Sequence, residues 1–586
     1  MDRRKIKRHR PVLITTLLLA GLMGPSGNAQ VPVPTQAPTQ TVPSSTDPPV
    51  VLPPRVGISG ESVLLSLEDV IALALKSNPN ITIAQLEADV AEFTTAAARG
   101  VYDPALLSES FFEHRITPIA SIIGGGANGQ TQQDALTGSA GVRGLVPKTG
   151  GSFQALFSSS RLTTDNQFVT LNPQFPANFS ASFTQPLGRG LTIDTTRRQI
   201  EIASRTELLS EAQLRREAID SLTAVEQAYW NMAFAHRNLD VQRQALAQAR
   251  RQVESNRRQA EQGLLADIDI VEAETQAATF EQNLYAAQEA VSRAENTLKL
   301  LISPDRSDPL WNREIVPATP LAPAAPDVEL GAAVAAALTN RPELDQVAAN
   351  IEINEVEQRF QRDQGRPQVD LVGSYSLSGL AGSIADRGPN LITAGNAVLQ
   401  ERVNQLSAQL GLPALPPPGT GPGIPSAFVG GFGQSFQTLA EGAYPVARLD
   451  LRVGLPFGNR VASANLARTL VQREQLRVQR DQLQGVIEAD VRNAMQAVRS
   501  AQARVTAAGV ARTSAQRQYE SEQRRFDTGL STVFLVLQRQ TDAVAAQARE
   551  LQAQVDLATA IATLRRATGE TLGAHNITVL RQRVRP

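Results

Sequence analysis

Val225, Ala228, Met232, Ala235, Leu239, Leu246, Ala249 and Val253 keep one register of threes and fours, broken only by Gln242. Val491, Ala494, Val498, Ala501, Val505 and Ala508 repeat the pattern in the second half of the chain. Such a seam predicts helices packed along a narrow apolar stripe. The first runs from roughly Asp194 to Gln262, about 100 Å at 1.5 Å per residue. No compact core has that depth, and Gln, Arg, Glu and Ser on the other faces suit a helix bathed in water. Each long helix ends at a lone Gly-Leu, Gly263-Leu264 and Gly529-Leu530, and a returning helix follows (Asp267 to Ile302, Thr532 to Thr568). Gly takes positive φ at helix ends, so both sites read as tips of antiparallel helical hairpins.

Elsewhere the period is two. Phe179, Ala181 and Phe183 alternate with Ser and Thr; Val369, Leu371, Tyr375 and Leu377 alternate with Asp370, Ser374, Ser376 and Ser378. Ala447, Leu449, Leu451, Val453 and Leu455 alternate with Arg448, Asp450 and Arg452. Runs of about ten residues with one apolar face fit transmembrane barrel strands. A soluble sandwich reads the same way, but one-sided strands beside such long helices favour the barrel.

The chain also repeats itself. Ser66 to Val90 returns as Glu329 to Ile353, with Asn78-Pro79 matching Arg341-Pro342; Phe183 to Gly190 returns as Val453 to Arg460. With the two Gly-Leu sites, these landmarks describe a tandem duplication. In each copy a capped helix (Ser66 with Asp69 three positions on) breaks at the Pro, and a second helix runs to about Arg99 or Arg362. The expected domains are 1–29 as signal peptide, 30–60 as Pro-rich tether, 61–303 as first repeat, 304–327 as Pro-rich joint, 328–573 as second repeat and 574–586 as tail.

MDRRKIKRHR followed by Pro11 to Met23 and Gly27-Asn28-Ala29 carries the basic, apolar and small-residue regions of a secretory signal. Six Lys/Arg and one Asp lie in those 29 residues, so the remainder holds 50 basic against 56 acidic side chains, no footprint for nucleic acid. There is no cysteine, which excludes disulfides, thiol catalysis and a lipidated N-terminal Cys. Aromatic residues are 4% of the chain, too few for several aromatic cores. No later run reaches the length of a membrane helix, so a membrane span here means a closed barrel.

Together these features resemble the outer-membrane efflux protein family, the TolC-like channel-tunnels, over about residues 61 to 573. The carriers are the signal, the duplication, the Asn-Pro break, the strand ends Gln185-Pro186-Leu187-Gly188 and Leu455-Pro456-Phe457-Gly458, and the motif from Arg525 to Leu530. The resemblance implies a mixed α and β fold: a homotrimeric channel-tunnel, its outer-membrane β-barrel built from four strands per chain and continued by a periplasmic α-helical barrel. It implies an outer-membrane channel of a tripartite efflux or type I secretion system in a Gram-negative-type bacterium. Its partners would be outer-membrane lipid, a periplasmic adaptor (membrane fusion protein) and an inner-membrane pump of RND, ABC or MFS type, with no cofactor and no metal. The adaptor contacts would be Arg258, Gly263 and Leu264, and Arg525, Gly529 and Leu530; capping alone also explains the two Gly.

In the family, acidic residues six and nine positions beyond the second tip Gly narrow the periplasmic entrance. Here those positions hold Leu535 and Gln538, while the first copy has Asp269 and Glu272 there, plus Asp267. A gate would combine an apolar constriction at Leu535 with an acidic ring; the same acids also suit the positive end of the returning helix. Two further departures are strand-like runs at Gly138 to Pro147 and Gly151 to Arg161, which lengthen a loop or add strands, and an insertion from Ala381 to Gly442 with one short helical piece.

The alternative is a periplasmic coiled-coil adaptor or scaffold, which has one hairpin rather than two. Catalysis finds no support. His9, His114, His236 and His575 are scattered, and Gly124 to Gly129 lacks the strand–turn–helix setting of a phosphate loop.

Overall fold

The helices start where the local chemistry allows. Ser66 caps α1 (Leu67–Ser77) in a complete capping box: the Asp69 N–H donates to Ser66 Oγ (3.2 Å) and the Ser66 N–H to Asp69 Oδ2 (3.0 Å). These hydrogen bonds to Ser66 hold the Asp69 carboxyl below its ordinary range. Pro79 opens α2 (Pro79–Arg99), whose first amides donate to Asn78 Oδ1, and Asn78 Nδ2 donates to the Leu301 carbonyl (3.0 Å). The Asn-Pro break is therefore a helix cap that also ties down the end of a distant helix.

The computed structural model describes residues 52–120, 129–166, 168–385, 391–415 and 424–577, with 391–397 as backbone alone. The expected signal, most of the tether, the Gly124 to Gly129 loop except Gly129, and most of the tail lie outside these residues.

After α2 come four strands, β2 (Ala105–Pro118), β3 (Gln130–Leu145), β4 (Ser152–Thr164) and β5 (Leu171–Pro186), then α3 (Thr195–Glu261) and α4 (Asp267–Ile302). The second copy runs α5 (Leu330–Asn340), α6 (Pro342–Gln364), β7 (Gln368–Ile384), α7 (Leu391–Gln409), α8 (Phe432–Ala440), β8 (Pro445–Gly454), α9 (Arg460–Asp527) and α10 (Val533–Thr568), closing on a short α11 (Thr571–Ala574). The long helices have 67 and 68 residues and the returning helices 36 each. That match makes the duplication a structural fact. The first seam is buried from Val225 to Val253, whereas the second is buried from Val491 to Ala501 and thins beyond.

The strands form one antiparallel sheet in the order β2-β3-β4-β5-β7-β8. This corrects the four strands that the resemblance implies: both strand-like runs of the first copy are true strands. The insertion of the second copy also begins later than Ala381, since β7 continues to Ile384, and it holds two helices rather than one. Of these, α8 lies on the apolar face of the sheet. Phe436 stacks on Phe157 (5.2 Å) and Phe432 meets Phe175 (4.4 Å), while a Cβ at Gly379 would run into the Ser435 carbonyl. No helix among the described residues is long and apolar enough to cross a membrane.

Residues 54 onward form one compact unit, not separable repeats. Its joint is more than a tether, because β6 (Ile315–Pro317) pairs in parallel with β1 (Val63–Leu65). Tyr229 Oη donates to the Leu65 carbonyl (3.1 Å) and accepts from the Thr319 amide (3.0 Å). Beside it Arg55 pairs with Glu295 and with Glu314 (3.1 Å), and fully buried Lys299 pairs with Glu295 (2.5 Å). Lys299 also donates to the carbonyls of Trp311 (3.2 Å) and Arg313 (2.6 Å).

His236 sits against this cluster. Burial pushes its imidazole below the ordinary value, with Glu314 and Glu295 opposing, and its Nε2 has no hydrogen-bond partner. Protonation would put an unsatisfied N–H in the interior. A depressed folded pKa means the stability is present above the unfolded value of about 6.5 and is lost as pH falls below it. Thermal melts at pH 7 and pH 5 are expected to show a lower midpoint at pH 5, and His236→Gln to narrow that gap; an unchanged gap would contradict the assignment.

Candidate functional site

The two tips share one backbone geometry. At the first, the Leu264 N–H donates to the Gln259 carbonyl (2.9 Å) and the Gly263 N–H to that of Ala260 (2.8 Å), with Gly263 at φ 73°. At the second, Leu530 donates to Arg525 (2.8 Å) and Gly529 to Phe526 (2.9 Å), with Gly529 at φ 72°. Both are Schellman ends, which need a residue comfortable at positive φ. That accounts for the glycines.

The leucines are not accounted for in this way. In a Schellman end the residue after Gly commonly packs on the last turn, yet Leu264 and Leu530 are 71% and 72% exposed. One turn further on stand Ile268 and Phe534, 63% and 59% exposed. Each tip thus presents two exposed apolar side chains, one in the turn and one in the first turn of the returning helix. Sequence reasoning missed Ile268 and Phe534; their equivalence across the two copies was the signal available. Arg258 is exposed, and Arg525 lies beside Glu522 (3.6 Å).

Behind the tips the hairpins hold each other. Val253 and Ala273 of the first share a buried cluster with Tyr519, Phe526, Val533, Val536 and Leu537 of the second. Gln248 Nε2 donates to Tyr519 Oη (2.6 Å) and Gln276 Nε2 to Thr541 Oγ1 (3.0 Å). Burial pushes the Tyr519 phenol above its ordinary value, so it stays neutral in this latch. Within the first hairpin Arg257 bridges α3 to α4 through Glu274 (2.6 Å).

The five gate candidates divide. Asp269 accepts from the Ala266 N–H (3.2 Å) at the start of α4, so its carboxylate is engaged in capping. Asp267 and Glu272 are exposed on the same helix. Leu535 is half-exposed next to Phe534, and Gln538 is exposed one turn on, while Val533, Val536 and Leu537 face inward. Acid and apolar side chains therefore lie at matching positions of the two returning helices.

A sheet with one apolar face, continuous with paired hairpins of this length, defines the fold of an outer-membrane channel-tunnel protomer. The outer membrane efflux protein family model matches residues 152–303 and 433–570. The chain belongs to that family and is an outer-membrane efflux channel protein extending into the periplasm; its relatives are channels rather than enzymes. The CmeC outer membrane channel of Campylobacter jejuni is 14% identical with a TM-score of 0.56, covering 86% of this chain and 85% of that one. The Vibrio cholerae outer membrane protein VceC is 14% identical with a TM-score of 0.55 (86% and 96% covered). The open state of the Neisseria gonorrhoeae MtrE channel is 16% identical with a TM-score of 0.54 (86% and 88% covered). No curated protein sequence matches the chain.

Proposed function

We propose that three copies assemble into one tunnel that carries cargo from a periplasmic adaptor and inner-membrane pump to the exterior. The observation that carries this is the pair of equivalent tips, each offering exposed Leu and a second apolar side chain on a rigid Schellman end. Leu264 with Ile268, and Leu530 with Phe534, form six docking knobs in a trimer, flanked by Arg258 and Arg525. Such knobs fit the apolar seam of an adaptor's own helical hairpin. The sheet supports the trimer independently, because an open edge has no place in hydrocarbon.

The entrance is gated near the same end. Leu535 supplies an apolar constriction and Asp267 and Glu272 an acidic rim that draws cations, with Asp269 capping its helix. Native mass measurement of the detergent-purified protein is expected to give three copies. In planar bilayers Leu535→Ala is expected to raise the conductance; an unchanged value would remove Leu535 from the gate. Exchanging Asp267 and Glu272 for Asn and Gln should lower cation selectivity without changing the oligomer.

A further inference from the structure

The two edges of the six-stranded sheet, β2 and β8, pair with nothing further among the described residues. The added hairpin is not an outer-surface appendix. Its turn lies at the helical end, where Arg197 Nη1 donates to the Lys148 carbonyl (3.1 Å) and Gln185 Nε2 to that of Thr149 (3.0 Å). All six strands therefore span the same layer. An even strand number also leaves β8 running opposite to the β2 of a following identical copy, as antiparallel closure requires.

The register fixes the slope. Moving sideways from Ala105 leads through Arg143, Gln154, Ser182 and Ser374 to Arg448. Ala105 begins β2, whereas Arg448 stands six residues above Gly454, the end of β8. Six residues over five spacings, at about 3.3 Å and 4.8 Å respectively, is a tilt of about 40°, within the range of membrane barrels. One more spacing brings the climb to about seven residues by the same geometry. Side-chain alternation admits only even values, so Arg448 faces either Phe111 or Glu113 of the next copy.

Charge separates the two registers. The first sets Asp450 opposite Glu109, a like-charge pair that disfavours it. The second sets Arg448 opposite Glu113, Arg452 opposite Glu109, and Leu449 opposite Phe112 on the apolar face. Glu109 and Arg452 form no ion pair within the protomer among the described residues, and both are exposed. This register gives each the other.

We infer that three copies close an eighteen-stranded barrel, stitched at each seam by Arg452 to Glu109 and Arg448 to Glu113 of the neighbouring copy. Barrel diameter grows roughly linearly with strand number, so the bore is about one and a half times that of a twelve-stranded barrel. Its wall is rich in small hydroxyls, among them Ser139, Ser158, Ser180, Ser182, Ser374 and Ser376. Hydrated, bulky cargo fits such a bore, and the narrowest passage moves to the periplasmic tips.

The inference rests on the trimeric reading above, and one experiment separates the two. The chain has no cysteine, so disulfides can be placed cleanly. Ser110→Cys with Leu451→Cys puts two thiols directly opposite across the seam. Ser110→Cys with Leu449→Cys puts them on a diagonal of roughly 7–8 Å, beyond disulfide reach. On oxidation the first pair is expected to give covalent dimers and trimers on a non-reducing gel, and the second about tenfold less. A native mass other than three copies overturns the trimer and the barrel together. A trimer linked through neither pair overturns the barrel closure alone, and one linked through Leu449 overturns the register and its ion pairs. Charge exchange checks the seam without cysteines: Glu109→Arg should lower the melting midpoint of the detergent-purified trimer and Glu109→Arg with Arg452→Glu should restore it; failure to restore it contradicts the pairing.

Discussion

Leu264→Glu combined with Leu530→Glu is expected to abolish export in cells and adaptor capture in vitro, while the purified protein still assembles and conducts. Both side chains are largely exposed at ends whose backbone is fixed by Gly and by two main-chain hydrogen bonds each. Folding therefore loses little when they become charged. A docked partner would bury them, and a buried apolar anchor exchanged for an unpaired carboxylate typically costs about 2 kcal/mol or more per site. Six sites in a trimer multiply that loss. Ile268→Glu with Phe534→Glu should show the same split between export and assembly. Export at the parental level in the doubly charged variant would remove the tips from the adaptor interface.

Glu295→Ala is expected to be the most destabilising single change outside the sheet, by about 3–5 kcal/mol. Glu295 is fully buried between the Arg55 guanidinium and the Lys299 ammonium, and its loss leaves buried Lys299 without a counter-charge beside Arg55, which keeps Glu314 alone. Lys299 keeps two carbonyl acceptors, which satisfy its donors but not its charge. The knot fastens residue 55 and the joint between the repeats to the end of α4, so its loss should free that joint. Denaturant unfolding in detergent checks this, with Lys299→Met and Glu295→Met together expected to recover part of the loss, since an apolar pair replaces the buried charges. A midpoint unchanged in Glu295→Ala would contradict the account of this cluster.

The helices were legible because their signals are local: a seam of period 3.5, a capping box at Ser66, and Gly where the backbone must turn left-handed. The strand count was not. β3 carries Leu136, Gly138, Ala140, Val142 and Gly144 on its apolar face, so only Leu136 and Val142 mark the alternation. The reason lies on the next strand. A Cβ at Gly144 would strike the Phe153 ring, which lies across it from β4. Small residues there are the counterpart of an aromatic neighbour, and a single strand cannot show that. Likewise the short run from Phe432 to Ala440 gains its meaning only from the sheet face that Phe432 and Phe436 cover. At the tips, attention to carboxylate positions found Leu535 and Gln538 but passed over Phe534, whose exposure depends on how the two hairpins pack.

The buried knot was equally hidden. Arg55 lies 240 and 259 positions from Glu295 and Glu314, and nothing in its local sequence points to them. Asn78 and Arg341 show the opposite case: the same break before Pro recurs in both copies, yet Asn78 caps its helix while Arg341 pairs with Glu343 (2.8 Å) and Asp490 (3.1 Å). Backbone form survived duplication and side-chain chemistry did not.

An aqueous passage through the outer membrane is tested most directly by adding the detergent-purified protein to a planar lipid bilayer. Discrete, long-lived conductance steps from a three-copy particle are expected, larger in Leu535→Ala. A soluble monomer that inserts no conductance would contradict it.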